Sequence, residues 1–275
     1  MGHKYQISLI SDSTGETLDR IFLALESQFP NFDYEKKSHV FIRTESQVEK
    51  IIKECEQKKN SIILYTTVET KIAKFISNMC DQRNIPNFSI LDNLILKFSR
   101  ALNQEATRTP SAQHVLDDAY YKRIEAIQFT IEHDDGLRVG EVNDADIILL
   151  GVSRTSKTPT SIYLANKGYK TLNIPLTENH NVPISLKKDP NKFCVIGLSV
   201  EAQRLSDIRV NRLEAMRENK LRNYSNLDYI QNEIENAKKL FKMYNWPVID
   251  VTRKSVEETA ASVIRIFDIK NKAKK

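Results

Sequence analysis

Short apolar runs alternate with segments of helical periodicity along the first hundred residues. The apolar runs predict a buried strand at Tyr5–Ile10 and two further strands at Ser38–Ile42 and Ile62–Tyr65. Apolar residues that recur every three or four positions predict three helices, at Gly15–Phe29, Glu45–Lys58 and Glu69–Arg83. Strands that alternate with helices of this length indicate βαβ units and a mainly parallel sheet.

The same alternation fills the second half of the chain. It predicts helices at His114–Ile131, Thr158–Lys167, Glu201–Leu221, Asn226–Tyr244 and Val256–Ile269. It predicts strands at Asp146–Leu150, Tyr169–Ile174, Phe193–Ser199 and Val248–Val251. Between the halves, Asn103–Gln113 is polar and has no helical periodicity, so we interpret it as a linker or a functional loop. We therefore predict an α/β protein with mainly parallel sheets and flanking helices, in two domains, residues 1–105 and 114–275.

The composition is that of a globular chain without membrane segments. Of the 275 residues, 40% are hydrophobic and 28% are charged, which is enough apolar material for a core. The longest apolar runs have about six residues, whereas a membrane-spanning helix needs ~20, so we expect no membrane partner. No apolar segment typical of a secretory signal follows Met1, and the three cysteines are widely spaced. We therefore expect a cytoplasmic protein.

The charge balance is mildly basic, with 41 Lys and Arg against 36 Asp and Glu and a net charge of +5. Four lysines lie close to the C-terminus: Lys270, Lys272, Lys274 and Lys275. This tail lacks the interleaved aromatic residues of nucleic-acid-binding segments, so we interpret it as a solvated end and expect no nucleic-acid partner. The five histidines are too scattered to indicate a metal cluster and no H-E-x-x-H zinc motif occurs, so we predict no metal-ligating residues.

The sharpest motif lies where the strand Asp146–Leu150 meets the next predicted helix. It consists of Gly151, Val152, Ser153, Arg154, Thr155, Ser156, Lys157 and Thr158. The string nearly fits the phosphate loop G-x-x-x-x-G-K-[ST], with a serine in place of the second glycine. Backbone N–H groups, a helix N-terminus and a lysine all favour phosphate there, and Thr158 offers a hydroxyl to a magnesium ion. The alternative is a strand–turn–helix corner with a hydroxyl-rich N-cap.

Three further segments are candidate binding or catalytic sites, and each also has a purely structural interpretation. The loop Ser11–Thr17 follows the first strand and is a candidate anion or peptide site, although Ser13 and Glu16 also have capping-box spacing. The turn His133–Gly136 holds two adjacent carboxylates, suited to a general base or magnesium, or is simply a helix stop. Two arginines, Arg209 and Arg212, lie three residues apart and form either a phosphate clamp or part of a solvated face.

These motifs together resemble a known family. The matching stretches are Leu9–Leu18, Tyr121–Gly136, Ala145–Ala165 and Trp246–Thr252, and the resemblance runs over nearly the whole chain. The chain resembles the pyruvate, phosphate dikinase regulatory proteins, a family similar to the phosphoenolpyruvate synthase regulatory proteins. The loop string with Ser156 looks like the dikinase branch, whereas the synthase branch tends to read C-G-K there.

The resemblance implies a bifunctional enzyme and a partner protein. Such proteins phosphorylate a threonine of the dikinase with ADP as donor, and they remove that phosphate with inorganic phosphate, releasing pyrophosphate. Residues Gly151–Thr158 would then be the ADP-binding loop of a C-terminal nucleotide-binding domain, with Lys157 as a catalytic residue and magnesium as a possible cofactor. Asp135 is the candidate base for the threonine hydroxyl, and Arg209 with Arg212 the candidate phosphate pocket.

The sequence also leaves open two alternative functions and predicts one oligomeric assembly. The first alternative is a kinase of a small metabolite that uses ATP, since such an enzyme would carry the same kind of loop. The second is the same regulatory activity directed at phosphoenolpyruvate synthase. The family resemblance also implies a homodimer. Apolar residues at a spacing of three and four offer a candidate dimer seam, or else an intramolecular core stripe: Leu227, Ile230, Ile234, Ala237, Phe241 and Tyr244.

Overall fold

Two four-stranded parallel sheets organise the chain. The computed structural model describes residues 4–112, 117–176, 182–216 and 224–272, without the side chains of residues 215 and 216. Within it the chain divides into two units, Met1–Val115 and Leu116–Lys275, each with its own sheet. The expected α/β class with parallel sheets and flanking helices is confirmed.

The first unit alternates strands and helices from its first strand onward. Its strands are β1 (Tyr5–Ser11), β2 (Tyr34–His39), β3 (Ser61–Thr66) and β4 (Asn87–Ser89). Its helices are α1 (Glu16–Glu26), α2 (Glu45–Glu56), α3 (Thr70–Asp81) and α4 (Asp92–Leu102). The strand order is β2-β1-β3-β4, with every pair parallel. Successive side chains of β1 enter different clusters, Leu9 with Leu18 and Phe22, and Ile10 with residues of α2 and α3, because strand residues alternate between the faces of a sheet.

Predictions in the first unit fail where strands are short or exposed. The strand expected at Ser38–Ile42 lies earlier, at β2, whose six residues are half-buried or exposed. An edge strand without buried residues gives no apolar run to recognise. The short strand β4 and the helix α4 were not predicted, and none of the residues of α4 is buried.

The second unit begins with a helix and then repeats the alternation. Its strands are β5 (Ile147–Val152), β6 (Thr171–Leu176), β7 (Val195–Ser199) and β8 (Val248–Asp250). Its helices are α5 (Asp118–Glu132), α6 (Lys157–Ala165), α7 (Ile184–Lys188), α8 (Ala202–Met216), α9 (Leu227–Met243) and α10 (Val256–Lys272), with 3₁₀ turns at Asp134–Gly136 and Val139–Asp144. The strand order is β6-β5-β7-β8, again all parallel.

Both units therefore share one strand order. In each unit the first strand pairs with the second strand on one side and with the third strand on the other. Successive strands are thus added first on one side of this strand and then on the other. In open α/β sheets, ligands bind outside the carboxyl ends of the strands at such a switch point. The fold thus directs attention to the residues that follow β1 and those that follow β5.

The stripe on α9 belongs to the core of the second unit. Ile230, Ile234, Ala237 and Phe241 are all buried there, together with the strands of the sheet. The ring of Phe241 even requires Gly197 on β7, because a Cβ at that glycine would lie 2.7 Å from the ring. The interpretation of this stripe as a dimer seam is therefore wrong, and the alternative of an intramolecular core stripe is confirmed.

Some predictions fall outside the described residues. These are the first residues of the helix expected from His114, the end of the helix expected to reach Leu221, residue Gln113, and the lysines Lys274 and Lys275. Among the helices of the described ranges, none combines the length and hydropathy needed to cross a membrane.

Candidate functional site

The loop after β5 has the geometry of a tight strand-to-helix turn. Gly151 is required by close packing, because a Cβ there would lie 2.8 Å from the carbonyl oxygen of Leu198 and 2.7 Å from Thr155 Oγ1. Ser156, which replaces the second glycine of the motif, is the N-cap residue of α6 and adopts a φ of 58°. The left-handed conformation costs a residue with a Cβ about 1–2 kcal/mol. Serine thus adopts the backbone conformation that glycine favours, and the substitution leaves the turn intact.

Lys157 lies at the first position of α6 and points back into the loop. Its side chain is almost fully buried, and Nζ donates a hydrogen bond to the Val152 carbonyl at 2.9 Å. Thr155 Oγ1 donates to the same carbonyl at 3.0 Å. Burial lowers the pKa of Lys157 to about 8, although the nearby carboxylates of Asp135 and Asp134 act in the opposite direction. The loop therefore holds a buried ammonium close to two acidic side chains.

The acidic turn after α5 lies against this loop, and its two carboxylates have different surroundings. Asp134 accepts hydrogen bonds from Thr158 Oγ1, at 3.0 Å, and from the side-chain amide of Asn173 on β6. Asp135 is exposed, has a φ of 55°, and has no hydrogen-bond partner among the described residues. Asp134 is thus held in place by its neighbours, whereas Asp135 presents a free carboxylate beside Lys157.

His133 fixes the turn that carries these carboxylates. Its ring stacks on Phe129 of α5, with 3.8 Å between the centroids, and Nε2 lies 3.0 Å from a carboxylate oxygen of Glu141. The backbone N–H of Asn173 donates to the His133 carbonyl at 3.3 Å. The end of α5 is therefore anchored both to the 3₁₀ turn that follows and to β6.

The two predicted arginines do not share one surface. Arg209 on α8 is 1% exposed, and its guanidinium donates to the carbonyls of Ser153 and Tyr224. Arg212, three residues later, is exposed. Arg209 therefore contacts the backbone of the phosphate loop at Ser153, whereas Arg212 faces solvent and does not join it there.

Sequence reasoning missed two residues that contact the motif and a third that contacts Arg209 behind it. Asn173 bridges Asp134 and Thr158, Tyr224 contacts Ser153 and Arg154, and Glu233 pairs with Arg209. Only Asn173 left a signal in the sequence, as an amide side chain at the centre of a buried strand. Such a residue needs a hydrogen-bond partner, which makes it a marker of a polar site.

The corresponding edge of the first unit forms a cavity of about 270 Å³ whose wall includes Ser11, Asp12, Ser13 and Thr66, and none of its lining residues within the described ranges is a lysine. The capping box expected between Ser13 and Glu16 is wrong, since the N-cap residue of α1 is Gly15, with no capping side chain. Asp12 is buried at this edge, which raises its pKa, while a hydrogen bond from the Val68 N–H opposes that shift.

The later part of the predicted linker lines this cavity, through Thr109, Ser111 and Ala112. The described part of the linker, residues 103–112, belongs to the first unit. Ser111 donates a hydrogen bond to Ser13 Oγ at 3.0 Å and accepts one from Arg43. This segment is therefore packed on the loop after β1 rather than standing free as a spacer.

Comparisons with known proteins cover both units. A family model described as kinase/pyrophosphorylase matches residues 7–264. A pyruvate, phosphate dikinase regulatory protein of Pelagibacter ubique (strain HTCC1062) is 61% identical over 269 residues, which cover 98% of each chain. A protein with the same name from Erythrobacter litoralis (strain HTCC2594) is 43% identical over 265 residues, covering 96% of this chain and 95% of its own. Among solved structures, a periplasmic solute-binding protein from Actinobacillus succinogenes covers 98% of this chain at 13% identity and a TM-score of 0.26, too weak a similarity to carry an argument.

Proposed function

This chain belongs to the kinase/pyrophosphorylase family, and we propose that it regulates a pyruvate, phosphate dikinase by reversible phosphorylation of a threonine. The family resemblance inferred from the motifs is thereby confirmed, and the chain is an enzyme with kinase and pyrophosphorylase activities. The target is carried over from relatives that match almost end to end and bear the name of dikinase regulators.

In the proposed kinase direction, the threonine oxygen attacks the β-phosphorus of ADP and the bond to the bridging oxygen breaks. The products are phosphothreonine and AMP, and the hydroxyl proton goes to a base. In the dephosphorylating direction, an oxygen of inorganic phosphate attacks the phosphothreonine phosphorus and the bond between that phosphorus and threonine Oγ breaks. Pyrophosphate is formed, and the proton lost by the attacking phosphate restores the threonine hydroxyl. Both steps need positioned positive charge around a loose, anionic transition state.

We assign these tasks to the second unit. The loop Gly151–Thr158 would bind the phosphates of ADP through its N–H groups and the N-terminus of α6, with Lys157 supplying charge. Asp135 would accept the threonine proton, because its carboxylate is exposed and lies near Lys157. The observation that carries this assignment is the direct packing of the acidic turn on the loop through Asp134 and Thr158.

Magnesium fits the same place. Thr158 Oγ1 and a carboxylate oxygen of Asp134 lie 3.0 Å apart. Hydroxyl and carboxylate oxygens are hard donors, the kind of ligand that Mg²⁺ prefers. A bound Mg²⁺ would neutralise charge on the transferred phosphoryl group. Within the described ranges there is no cluster of three or more His, Cys, Asp or Glu, so the nucleotide would have to contribute further ligands.

A donor and acceptor panel tests the proposal. The purified protein is incubated with ADP or ATP, radiolabelled in the β- or γ-phosphate respectively, and with pyruvate, phosphate dikinase, phosphoenolpyruvate synthase or a mixture of small metabolites. We expect label on a dikinase threonine from ADP, and pyrophosphate release when inorganic phosphate is added. Transfer from ATP to a metabolite would contradict the proposal, and labelling of the synthase alone would move the target to that enzyme.

The pH dependence of nucleotide binding tests the role of Lys157. Its pKa of about 8 means that the ammonium form is lost as the pH rises through that value, well below the usual 10.5. Bound phosphate favours the charged form, so ADP affinity should fall roughly tenfold between about pH 7 and pH 9, with proton uptake on binding. Calorimetry in two buffers of different ionisation enthalpy measures both quantities. An affinity that is flat across this range, without proton uptake, would contradict the assignment.

We also propose a cytoplasmic homodimer. The dimer is supported by the family resemblance and by apolar residues left exposed on the first unit, among them Phe98 and Leu102 of α4. The compartment is supported by three free cysteines, all buried. Light scattering at micromolar concentration should give twice the chain mass of 31.7 kDa. A mass of one chain would contradict the dimer.

A further inference from the structure

We propose that Arg209 is a positioning residue that holds the phosphate loop in its binding conformation, with Glu233 and Tyr224 as its partners. This inference rests on the proposed function of the loop. It also replaces the role of phosphate ligand that the sequence suggested for Arg209.

The guanidinium of Arg209 joins three parts of the second unit. Its Nη2 donates to the Ser153 carbonyl in the loop at 3.2 Å, and Nη1 donates to the Tyr224 carbonyl at 3.0 Å. Nη1 also lies 2.8 Å from Glu233 Oε2 on α9, in a charge contact that is not aligned as a hydrogen bond. Arg209 is only 1% exposed, so its guanidinium contacts these groups inside the protein and a dissolved phosphate does not reach it.

Tyr224 provides a second tether from the same arginine to the loop. Its ring lies 4.6 Å from the guanidinium carbon of Arg209. Its hydroxyl is 3.4 Å from Ser153 Oγ and accepts a hydrogen bond from Arg154 Nε at 3.2 Å. Ser153 is therefore held at both its backbone and its side chain, and Arg154 is held in a left-handed conformation with a φ of 73°. Such a conformation persists only where the surroundings impose it.

The ion pair is better explained by positioning than by stability. Burying an arginine and a glutamate together gains little, since the loss of hydration offsets much of their attraction, and an apolar pair of similar volume is often as stable. A phosphate loop, in contrast, depends on the exact direction of its N–H groups. A displacement of about 1 Å in a binding element can reduce activity by ~10²-fold.

The test removes the charge pair without leaving one charge unpaired. In the double variant Arg209→Met with Glu233→Leu, both charges are replaced by apolar side chains, so the melting temperature should equal or exceed that of the wild type. The loop is assigned to the phosphates of ADP, and we place inorganic phosphate on the same N–H groups, so the KM for each ligand should rise by about tenfold or more. The kcat at saturating ligand should change less than KM, since the N–H groups of the loop already bind the phosphates in the ground state, and Lys157, the charge donor assigned to the transition state, is left unchanged.

Two further variants complete the experiment. Arg209→Lys keeps a cation beside Glu233 but lacks the planar guanidinium that donates to two carbonyls at once. This variant should fold, and its KM values should rise, but less than those of the double variant. Arg204→Met, on the exposed side of α8, is the matched control and should change neither KM. A folded double variant or Arg209→Lys variant with wild-type KM values would overturn the positioning role. A wild-type protein that binds neither ADP nor phosphate would instead overturn the proposed function.

Discussion

Alanine at Lys157 should abolish most of both activities while the protein stays folded. The lysine is the one side-chain cation that the structure buries inside the phosphate loop itself, with Nζ on the Val152 carbonyl. Removing one preorganised charge donor from such a site lowers turnover by at least ~10²-fold. Because burial already lowers the pKa of this ammonium, its removal takes away a group that is costly to keep in the core, and we expect no loss of stability.

The measurement uses both directions of the reaction on one preparation. Threonine phosphorylation from ADP and pyrophosphate release from phosphothreonine are assayed beside a thermal melt. Lys167→Ala is the matched control, because that lysine follows the same helix but is exposed. Near-normal phosphorylation by a folded Lys157→Ala variant would reject the assignment of the loop.

The second large effect is expected from Asp135→Asn, and it should separate the two directions. A threonine hydroxyl must lose its proton as it attacks, and a positioned carboxylate accelerates such a transfer by about 10²–10⁴-fold. Inorganic phosphate is already an anion at neutral pH, so its attack gains less from a base. The kinase activity should therefore fall much further than the phosphorylase activity. Asparagine tolerates the left-handed φ of 55° at this position, so the turn should survive.

Asp134→Asn provides the comparison that the structure makes possible. Asp134 accepts hydrogen bonds from Thr158 and Asn173, so its loss should disturb the loop and impair both directions to a similar degree. If Asp135→Asn also lowers both directions equally, Asp135 acts in magnesium binding or in the structure of the turn. If it lowers neither, the turn is only a helix stop and the base lies elsewhere.

Hydrophobic periodicity located most of the elements but could not reveal that the two units share a strand order. Strands β1, β3, β5 and β7 are nearly continuous buried runs, so the sequence identified all four. The common order of β2-β1-β3-β4 and β6-β5-β7-β8 leaves no internal repeat in the sequence. Strand order is set by which apolar faces pack together, and many different residues satisfy the same packing.

Local chemistry was enough to find the phosphate loop and the acidic turn, because their functional groups are close in sequence and their spacing is itself the signal. The roles of individual side chains were decided by residues that lie far away in the chain. Asn173 and Thr158 hydrogen-bond to Asp134 and not to Asp135. Neighbours in sequence cannot show which of the two carboxylates is held by hydrogen bonds and which is available as a base.

The arginine pair shows the same division between sequence and tertiary structure. A spacing of three places Arg209 and Arg212 on neighbouring parts of one helix, and this much the sequence determined. Only the packing of α8 against α9 and the phosphate loop decided that Arg209 is buried on Glu233 and Ser153 while Arg212 stays exposed. Burial depends on the surfaces that surround a helix, and those surfaces come from parts of the chain that are brought together only when the protein folds.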